Sequence, residues 1–371
     1  MDIVRVGVIG IGVMGSGHAR HMAEVKEVKF TAVADVDPAK VKAAMDQYDV
    51  EGFASSTELI ASGLCDAVLI ATPHFFHPTI AIEAMRAGLH VYAEKPLAVN
   101  LSAADEMIRV ARETGQLLQI GFNSRATPAV QAAKRIVEEG RLGEIYRTLL
   151  IDSRIRNQAY YDSATWRATW AGEGGGVLMN QAPHELDRLV MLTGRPSRVY
   201  GQVKTRRHRI EVEDEASAII EYPNGATGYV FVSVNEAPVG NRLEILGEKG
   251  KLVMAERALQ LWELPQAVQE WVDSTTQRGN ALKGVEVPVE VPAYEGESHA
   301  DMLANLARAI IHGEPLLCPP EEALGGLELA DAMLMSGFTG KPVDIPVDRQ
   351  AFDAFLAEKQ AASQGKPARG A

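Results

Sequence analysis

Over the first 120 or so residues, short β-branched runs alternate with amphipathic stretches, and this alternation restricts the fold more than any other feature. IVRVGVI, VKFTAVAD, DAVLIAT, LHVYAE and LLQIGF are separated by helical patterns such as TIAIEAMRAG. Strands joined in this way lie parallel, with a crossover helix between successive strands and both sheet faces covered. After a helical pattern over Pro128 to Glu139, the period changes. EIYRTLLID, SRVYGQVKT, ASAIIEY, ATGYVFVSV, RLEILGEKGKLVM and PVEVPAY alternate more strictly, and Asn224-Gly225 marks a hairpin turn between two of them. They predict an open, mainly antiparallel sheet. Helical periodicity returns from about Ser298 to Ser336, and the tail from Ala361 has the composition of a frayed end.

A chain of 371 residues, 46% hydrophobic and 23% charged, is long for one compact core, so two domains are expected, 1–122 and 123–371. Lys plus Arg number 37 against 49 for Asp plus Glu, and the net charge of -12 repels phosphate backbones and anionic lipid, which argues against nucleic-acid and membrane partners. Cys65 and Cys318 are too few and too far apart for a disulfide framework or a Cys-based metal site, and they suit a reducing cytoplasm. MDIVRVGVIG lacks the features of a signal peptide, and no uncharged apolar run of membrane-spanning length follows. A soluble, cytoplasmic protein is expected.

The first strand runs into Gly10-Ile11-Gly12-Val13-Met14-Gly15, with a helical pattern immediately after. Here Gly10 permits the tight turn, Gly12 lets a pyrophosphate approach the backbone, and Gly15 lets helix and strand pack closely, while the helix N-terminus attracts negative charge. A second strand ends at Asp35, twenty residues beyond Gly15, where a carboxylate accepts from an adenosine ribose. Asp35 opposes a 2'-phosphate, and Val36 offers no positive charge, so NAD is expected over NADP. These residues define a Rossmann domain.

Two further segments, ATPHFFHP and AEKP, fall at the C-terminal ends of expected strands, the edge where open α/β sheets bind ligands. His74 and His77, three apart in a loop with no Cys or third His near, are assigned to nucleotide contact with Thr72 and Pro73 and not to a metal. Lys95 follows an apolar strand beside Glu94, and Pro96 holds it out of helical geometry. On these grounds alone it reads either as a solvated charge or as a functional lysine.

The motifs Gly10-x-Gly12-x-x-Gly15, Asp35, Thr72-Pro73 with His77, Glu94-Lys95-Pro96, and Gly174-Gly175-Gly176 leading to His184 together resemble the glucose-fructose oxidoreductase/inositol dehydrogenase/MocA family. The resemblance extends through Gly340-Lys341-Pro342. It implies a two-domain NAD(P)-dependent enzyme acting on a sugar or cyclitol carbon, with the second domain's sheet making oligomer contacts, as a homodimer or homotetramer. It also implies that Lys95 and His184 approach the reacting hydroxyl, and that position 180 holds an aspartate; here it is Asn180. An amide can orient a histidine or a substrate hydroxyl, but it neither accepts a proton nor stabilises an imidazolium by charge. Proton chemistry therefore falls on His184 and Lys95.

Upstream, RIRNQAYYDSATWRATWAG is dense in donors and rings, a composition suited to a polyhydroxylated ligand. Arg154, Arg156, Asn157, Tyr160, Trp166, Arg167 and Trp170 are its candidate substrate contacts. Asn123 and Arg125 lie where the chain leaves the last Rossmann strand, with Asn123 expected to contact both cofactor and substrate, and His299 begins the late helical segment as a further candidate. The expected reaction is oxidation of a secondary hydroxyl with NAD. Two other readings stay open: a glycoside-cleaving enzyme that uses NAD transiently, and a sensor that binds NAD and sugar without turnover.

Overall fold

The computed structural model describes residues 2–255, 258–276, 278–279, 281–294, 296 and 298–364. The chain divides into two compact units, Met1–Ala126 with Glu295–Leu327, and Thr127–Tyr294 with Glu328–Ala371.

The first unit carries six strands, β1 (Val4–Ile9), β2 (Val28–Ala34), β3 (Glu51–Phe53), β4 (Ala67–Ile70), β5 (His90–Ala93) and β6 (Leu118–Ile120). They form one sheet in the order β3-β2-β1-β4-β5-β6, with every pairing parallel. The chain leaves β1 in one direction and β4 in the other, so a crevice opens at the C-terminal ends of these two strands. All four residues of β4 are buried, as expected for a strand covered on both faces. Short and partly polar, β3 (Glu-Gly-Phe) carries no periodic signal.

The late helical segment is two helices, Ser298–His312 and Pro320–Thr339, with the intervening turn at Gly313, where φ is +72°. Helix Ser298–His312 packs against β1, β2 and the helix Val13–Met22, burying Met302, Leu303, Leu306 and Ala307. Gln119 Nε2 donates to the Met302 carbonyl at 2.7 Å, and Ile120 N–H to that of Cys318 at 3.1 Å. Residues 295–327 thus complete the Rossmann unit, although their position in the sequence assigns them to the second domain. Their periodicity reveals a buried face but not the sheet that it covers.

The second unit holds nine strands: β7 (Ile145–Ile155), β8 (Arg198–Lys204), β9 (Glu215–Glu221), β10 (Thr227–Ser233), β11 (Asn235–Gly247), β12 (Gly250–Ala255), β13 (Ala258–Glu263), β14 (Val285–Val287) and β15 (Val343–Asp344). The sheet order is β14-β13-β12-β11-β7-β10-β9-β8-β15. Its ladders are antiparallel except that between β7 and β10. The hairpin at Asn224-Gly225 joins β9 to β10, with Gly225 at φ +86° and its N–H donating to the Tyr222 carbonyl. In contrast, the strand expected over PVEVPAY lies just before it. Residues 285–287 pair with β13, whereas Pro288 and Pro292 interrupt the N–H series that a ladder needs. Tyr200, Ile219 and Tyr229 stand in register on one face of β8, β9 and β10, and all three are exposed. The C-terminal helix Arg349–Ala361 continues as ordered chain to Gln364, whose N–H donates to Glu211; residues 365–371 of the expected frayed tail lie outside the described residues.

Arg125 is fully buried within the first unit, not displayed to a ligand as its position at the strand end suggests. It donates to the Leu317 carbonyl at 3.2 Å and pairs with Glu322, tying the first part of this unit to the returning segment. Arg125→Ala is therefore expected to cost about 3 kcal/mol, through lost packing and lost charge-assisted bonds. The midpoint of denaturant unfolding measures this directly.

Candidate active site

In the first unit, the turn after β1 is built from three glycines with different constraints. Gly10 has φ +89°, a value that disfavours any side chain. A Cβ on Gly15 would lie 1.9 Å from the Gly10 carbonyl oxygen, so helix and turn meet at a distance only glycine allows. A Cβ on Gly12 would meet nothing within 4 Å, which leaves open space over the backbone at the start of the helix Val13–Met22. No side chain caps that helix, and its first N–H groups are available to an anion. Val13 and Val36 are 91% and 92% exposed and Met14 is 42% exposed, giving the turn an apolar rim. The Asp35 carboxylate accepts from Ile11 N–H and Asp37 N–H, both at 2.9 Å, which fixes it beside the glycine turn with further acceptor capacity. On β4's C-terminal side, the Thr72 hydroxyl oxygen is buried without a partner among the described residues. An open cradle, an uncapped helix, a fixed carboxylate and an orphaned hydroxyl fit a dinucleotide.

Other expected cofactor contacts have internal roles. His77 is fully buried, with Nε2 2.8 Å from the Thr72 carbonyl and Nδ1 3.1 Å from that of Pro96. It braces the segments after β4 and β5 against each other and is not a nucleotide contact; burial lowers its pKa despite the two carbonyls. Pro73 precedes the short 3-10 turn His74–Phe76, where His74 is half-buried. Glu94 is buried and accepts from His18 Nε2 at 2.6 Å and from Lys95 N–H at 3.2 Å. Burial pushes its carboxyl up, but the His18 bond and the charges of His18, Lys95 and His299 outweigh that and hold it at about 2. Asn123 Nδ2 donates to Ser298 Oγ at 2.7 Å and lies 3.4 Å from His299 Nδ1, which places its amide on the returning helix.

His18 was not legible as part of this set. Its ring, the Glu94 carboxylate and the His299 ring bring three potential metal-ligating atoms within 4.8 Å of one another, from positions scattered over the chain. Two imidazoles and a carboxylate are ligand types for a divalent cation. In the structure, His18 is the hydrogen-bond partner of Glu94, and the group holds the turn that presents Lys95 directly after β5.

In the second unit, Gly174 to Asp187 is not one helix. A short helix Val177–Asn180 ends at Asn180, and Pro183 opens the next, Pro183–Thr193, where its missing N–H costs nothing. His184 is in the first turn of that second helix and is half-buried. The buried Glu213 carboxylate accepts from Gly176 N–H at 2.9 Å and Leu178 N–H at 3.0 Å. A Cβ on Gly176 would sit 1.9 Å from the Glu213 carbonyl oxygen. Burial raises the Glu213 carboxyl to about 7 despite the backbone donors.

Around Asn180 the candidate substrate residues sort themselves. Asn180 Nδ2 donates to the buried Glu173 carboxylate, and Asn180 Oδ1 is 3.4 Å from the Tyr160 hydroxyl. Arg167 donates to that hydroxyl at 2.7 Å, with its guanidinium 4.5 Å from the Tyr160 ring centre and 4.8 Å from that of Trp166. Arg156 lies 5.0 Å from the Tyr160 ring centre. Two candidates are structural instead: Asn157 caps the helix Gln158–Tyr161, and Trp170 is buried, its indole donating to the Glu211 carbonyl at 3.1 Å. Arg154 donates to both Asp152 oxygens at 2.8 Å. Glu173, which the sequence did not single out, places a carboxylate against the residue where the resemblance calls for one.

Two family models match the chain, an oxidoreductase family NAD-binding Rossmann fold over residues 4–122 and a GFO/IDH/MocA C-terminal domain over residues 130–253. Myo-inositol 2-dehydrogenase of Thermotoga maritima is 28% identical over 257 residues, covering 67% of this chain and 74% of the relative. Levoglucosan dehydrogenase of Pseudarthrobacter phenanthrenivorans is 29% identical over 293 residues, covering 68% of this chain and 74% of the relative. The solved WlbA dehydrogenase of Chromobacterium violaceum, in complex with NADH and UDP-GlcNAcA, superposes with a TM-score of 0.80 at 30% identity, covering 94% of this chain and 97% of that one. No helix among the described residues is long and apolar enough to cross a membrane.

The two glycines of the first turn should separate on substitution. Gly15→Ala forces helix and turn apart and is expected to lower the melting temperature, whereas Gly12→Ala should keep the melting temperature and weaken NAD binding by about tenfold or more. Thermal melts and NAD titrations of both proteins decide it. In the second unit, Glu173→Gln removes the charge that anchors the Asn180 amide. A loss of about 1.5–3 kcal/mol in unfolding free energy is expected for these charge-assisted bonds.

Proposed function

Because the chain belongs to the GFO/IDH/MocA oxidoreductase family, we propose that it oxidises a secondary hydroxyl of a sugar, sugar derivative or cyclitol, with His184 and Lys95 handling the proton. The observation that carries this reading is the patch of rings and donors at Tyr160, Trp166, Arg167 and Asn180, which suits a ligand bearing many hydroxyls. The relatives point the same way: their names specify an inositol, an anhydrosugar and a nucleotide-linked sugar acid.

When bound, NAD accepts the hydride from the substrate carbon. Asp35 receives the ribose hydroxyls of the dinucleotide and opposes a 2'-phosphate, which favours NAD over NADP. His184 takes the hydroxyl proton as a neutral imidazole, with Lys95 assisting at the same oxygen. Asn180, its nitrogen donating to Glu173 and its oxygen beside the Tyr160 hydroxyl, uses its remaining acceptor capacity for a substrate hydroxyl or for the histidine. The exposed row Tyr200, Ile219 and Tyr229 supports self-association through the open sheet, as a homodimer or homotetramer. A non-catalytic sensor is the second reading, and Asn180 is what favours it.

NADH production over a panel of free sugars, inositols and glycosides tests the proposal. His184→Ala and Lys95→Ala should each lose about 100-fold or more in turnover with nearly unchanged NAD titration. Asp35→Ala should narrow the gap between NAD and NADP affinity. Sugar binding without turnover by the wild type would establish the sensor instead.

A further inference from the structure

The arginines around Asn180 are matched to carboxylates, with one exception. Arg154 pairs with Asp152, Arg188 with Glu185 at 2.7 Å, and Arg167 faces Glu173 at 3.9 Å. Arg156 follows the end of β7, and its guanidinium makes no hydrogen bond or ion pair among the described residues. Its Nε, like those of Arg167 and Arg188, is buried without a hydrogen-bond partner among the described residues. Its backbone is held on both sides, the N–H donating to the Val234 carbonyl at 3.0 Å and the carbonyl 2.9 Å from His208 Nε2. The guanidinium rests against Tyr160, the ring whose hydroxyl lies beside Asn180.

Arg156 is half-buried and stacked, and it has lost part of its hydration with no carboxylate within hydrogen-bond or ion-pair distance among the described residues, Asp152 acting on it only through its charge. Tyr160 offers it a ring face, but this attraction is weaker than a charge-assisted bond.

We infer that the substrate is a sugar acid, with Arg156 binding its carboxylate in the bidentate fork that guanidinium and carboxylate share. This deepens the dehydrogenase reading and rests on it. One unmatched positive charge suits a single carboxylate better than a phosphate group, whose charge at neutral pH is nearer two.

The probes are methyl β-D-glucuronide and methyl β-D-glucoside, which differ only in the carboxylate at C6, with glucose 6-phosphate as the phosphate arm. The wild type should give the higher kcat/KM on the glucuronide. In Arg156→Gln, the ratio of glucuronide to glucoside kcat/KM should fall about 10- to 100-fold, mostly through KM. Arg156→Lys should lie between, since a point charge keeps the attraction and loses the fork. A ratio unchanged in Arg156→Gln overturns the inference, as does a wild type that prefers the glucoside or the phosphate; in each case oxidation of any probe leaves the dehydrogenase reading standing. If the wild type oxidises none of them, thermal shifts with NADH present separate the two ideas. Stabilisation by the glucuronide that is lost in Arg156→Gln supports carboxylate recognition without turnover, and its absence overturns it.

Discussion

In each unit, the functional segment is held by a backbone approach too close for any Cβ. At Gly15 the helix of the nucleotide turn meets the Gly10 carbonyl, and at Gly176 the chain leading to Asn180 and His184 meets the Glu213 carbonyl, both at 1.9 Å from where a Cβ would be. These two contacts place the glycine turn in the first unit and the Asn180 to His184 segment in the second. The first fixes the origin of the Val13–Met22 helix and with it the open backbone at Gly12. The second fixes the short helix Val177–Asn180, which is further secured by the Glu213 side chain accepting from Gly176 and Leu178. Rigid support of this kind lets small groups such as an amide oxygen or an imidazole be aimed.

Buried ionisable groups form a second layer of support. Glu94 is held ionised by His18 and nearby positive charge, so its contribution to stability is present above the ordinary carboxylate value of 4.5 and is lost as pH falls towards about 2. Glu213 behaves in the opposite sense, because burial dominates and raises it to about 7. Its deprotonation opposes folding increasingly as pH rises from 4.5 to that value and no further above it. Two buried acids in one chain thus differ because Glu94 has cationic neighbours and Glu213 has only N–H dipoles and Asp214.

Much of this was readable from the residues. The Rossmann strands, the glycine turn and Asp35 have short-range signals, and the structure places them as the spacing requires. The hairpin at Asn224-Gly225 is equally local. What could not be read depends on distant partners. His18, Glu94 and His299 meet through tertiary packing, Glu173 reaches Asn180 across a glycine run, and His77 looked like a ligand contact because its two carbonyl partners are invisible in sequence. The tract from Arg154 to Trp170 showed the right composition for a binding surface. Only the structure separates the cap Asn157 and the core Trp170 from Tyr160 and Arg156, because burial and hydrogen bonding, not residue type, make that distinction.

The return of residues 295–327 to the first unit bears on how the protein is made. Synthesis runs from the N-terminus, and the six-stranded sheet has emerged long before the helix that covers β1 and β2. Until then, the apolar surface that receives Met302, Leu303 and Leu306 is uncovered, and Arg125 lacks both Leu317 and Glu322. The Gln119–Met302 bond spans 183 residues, a long loop to close before its contacts contribute. The nucleotide unit therefore finishes folding only after strands β7 to β14 of the second sheet have been translated, and its uncovered apolar surface is exposed to aggregation until then.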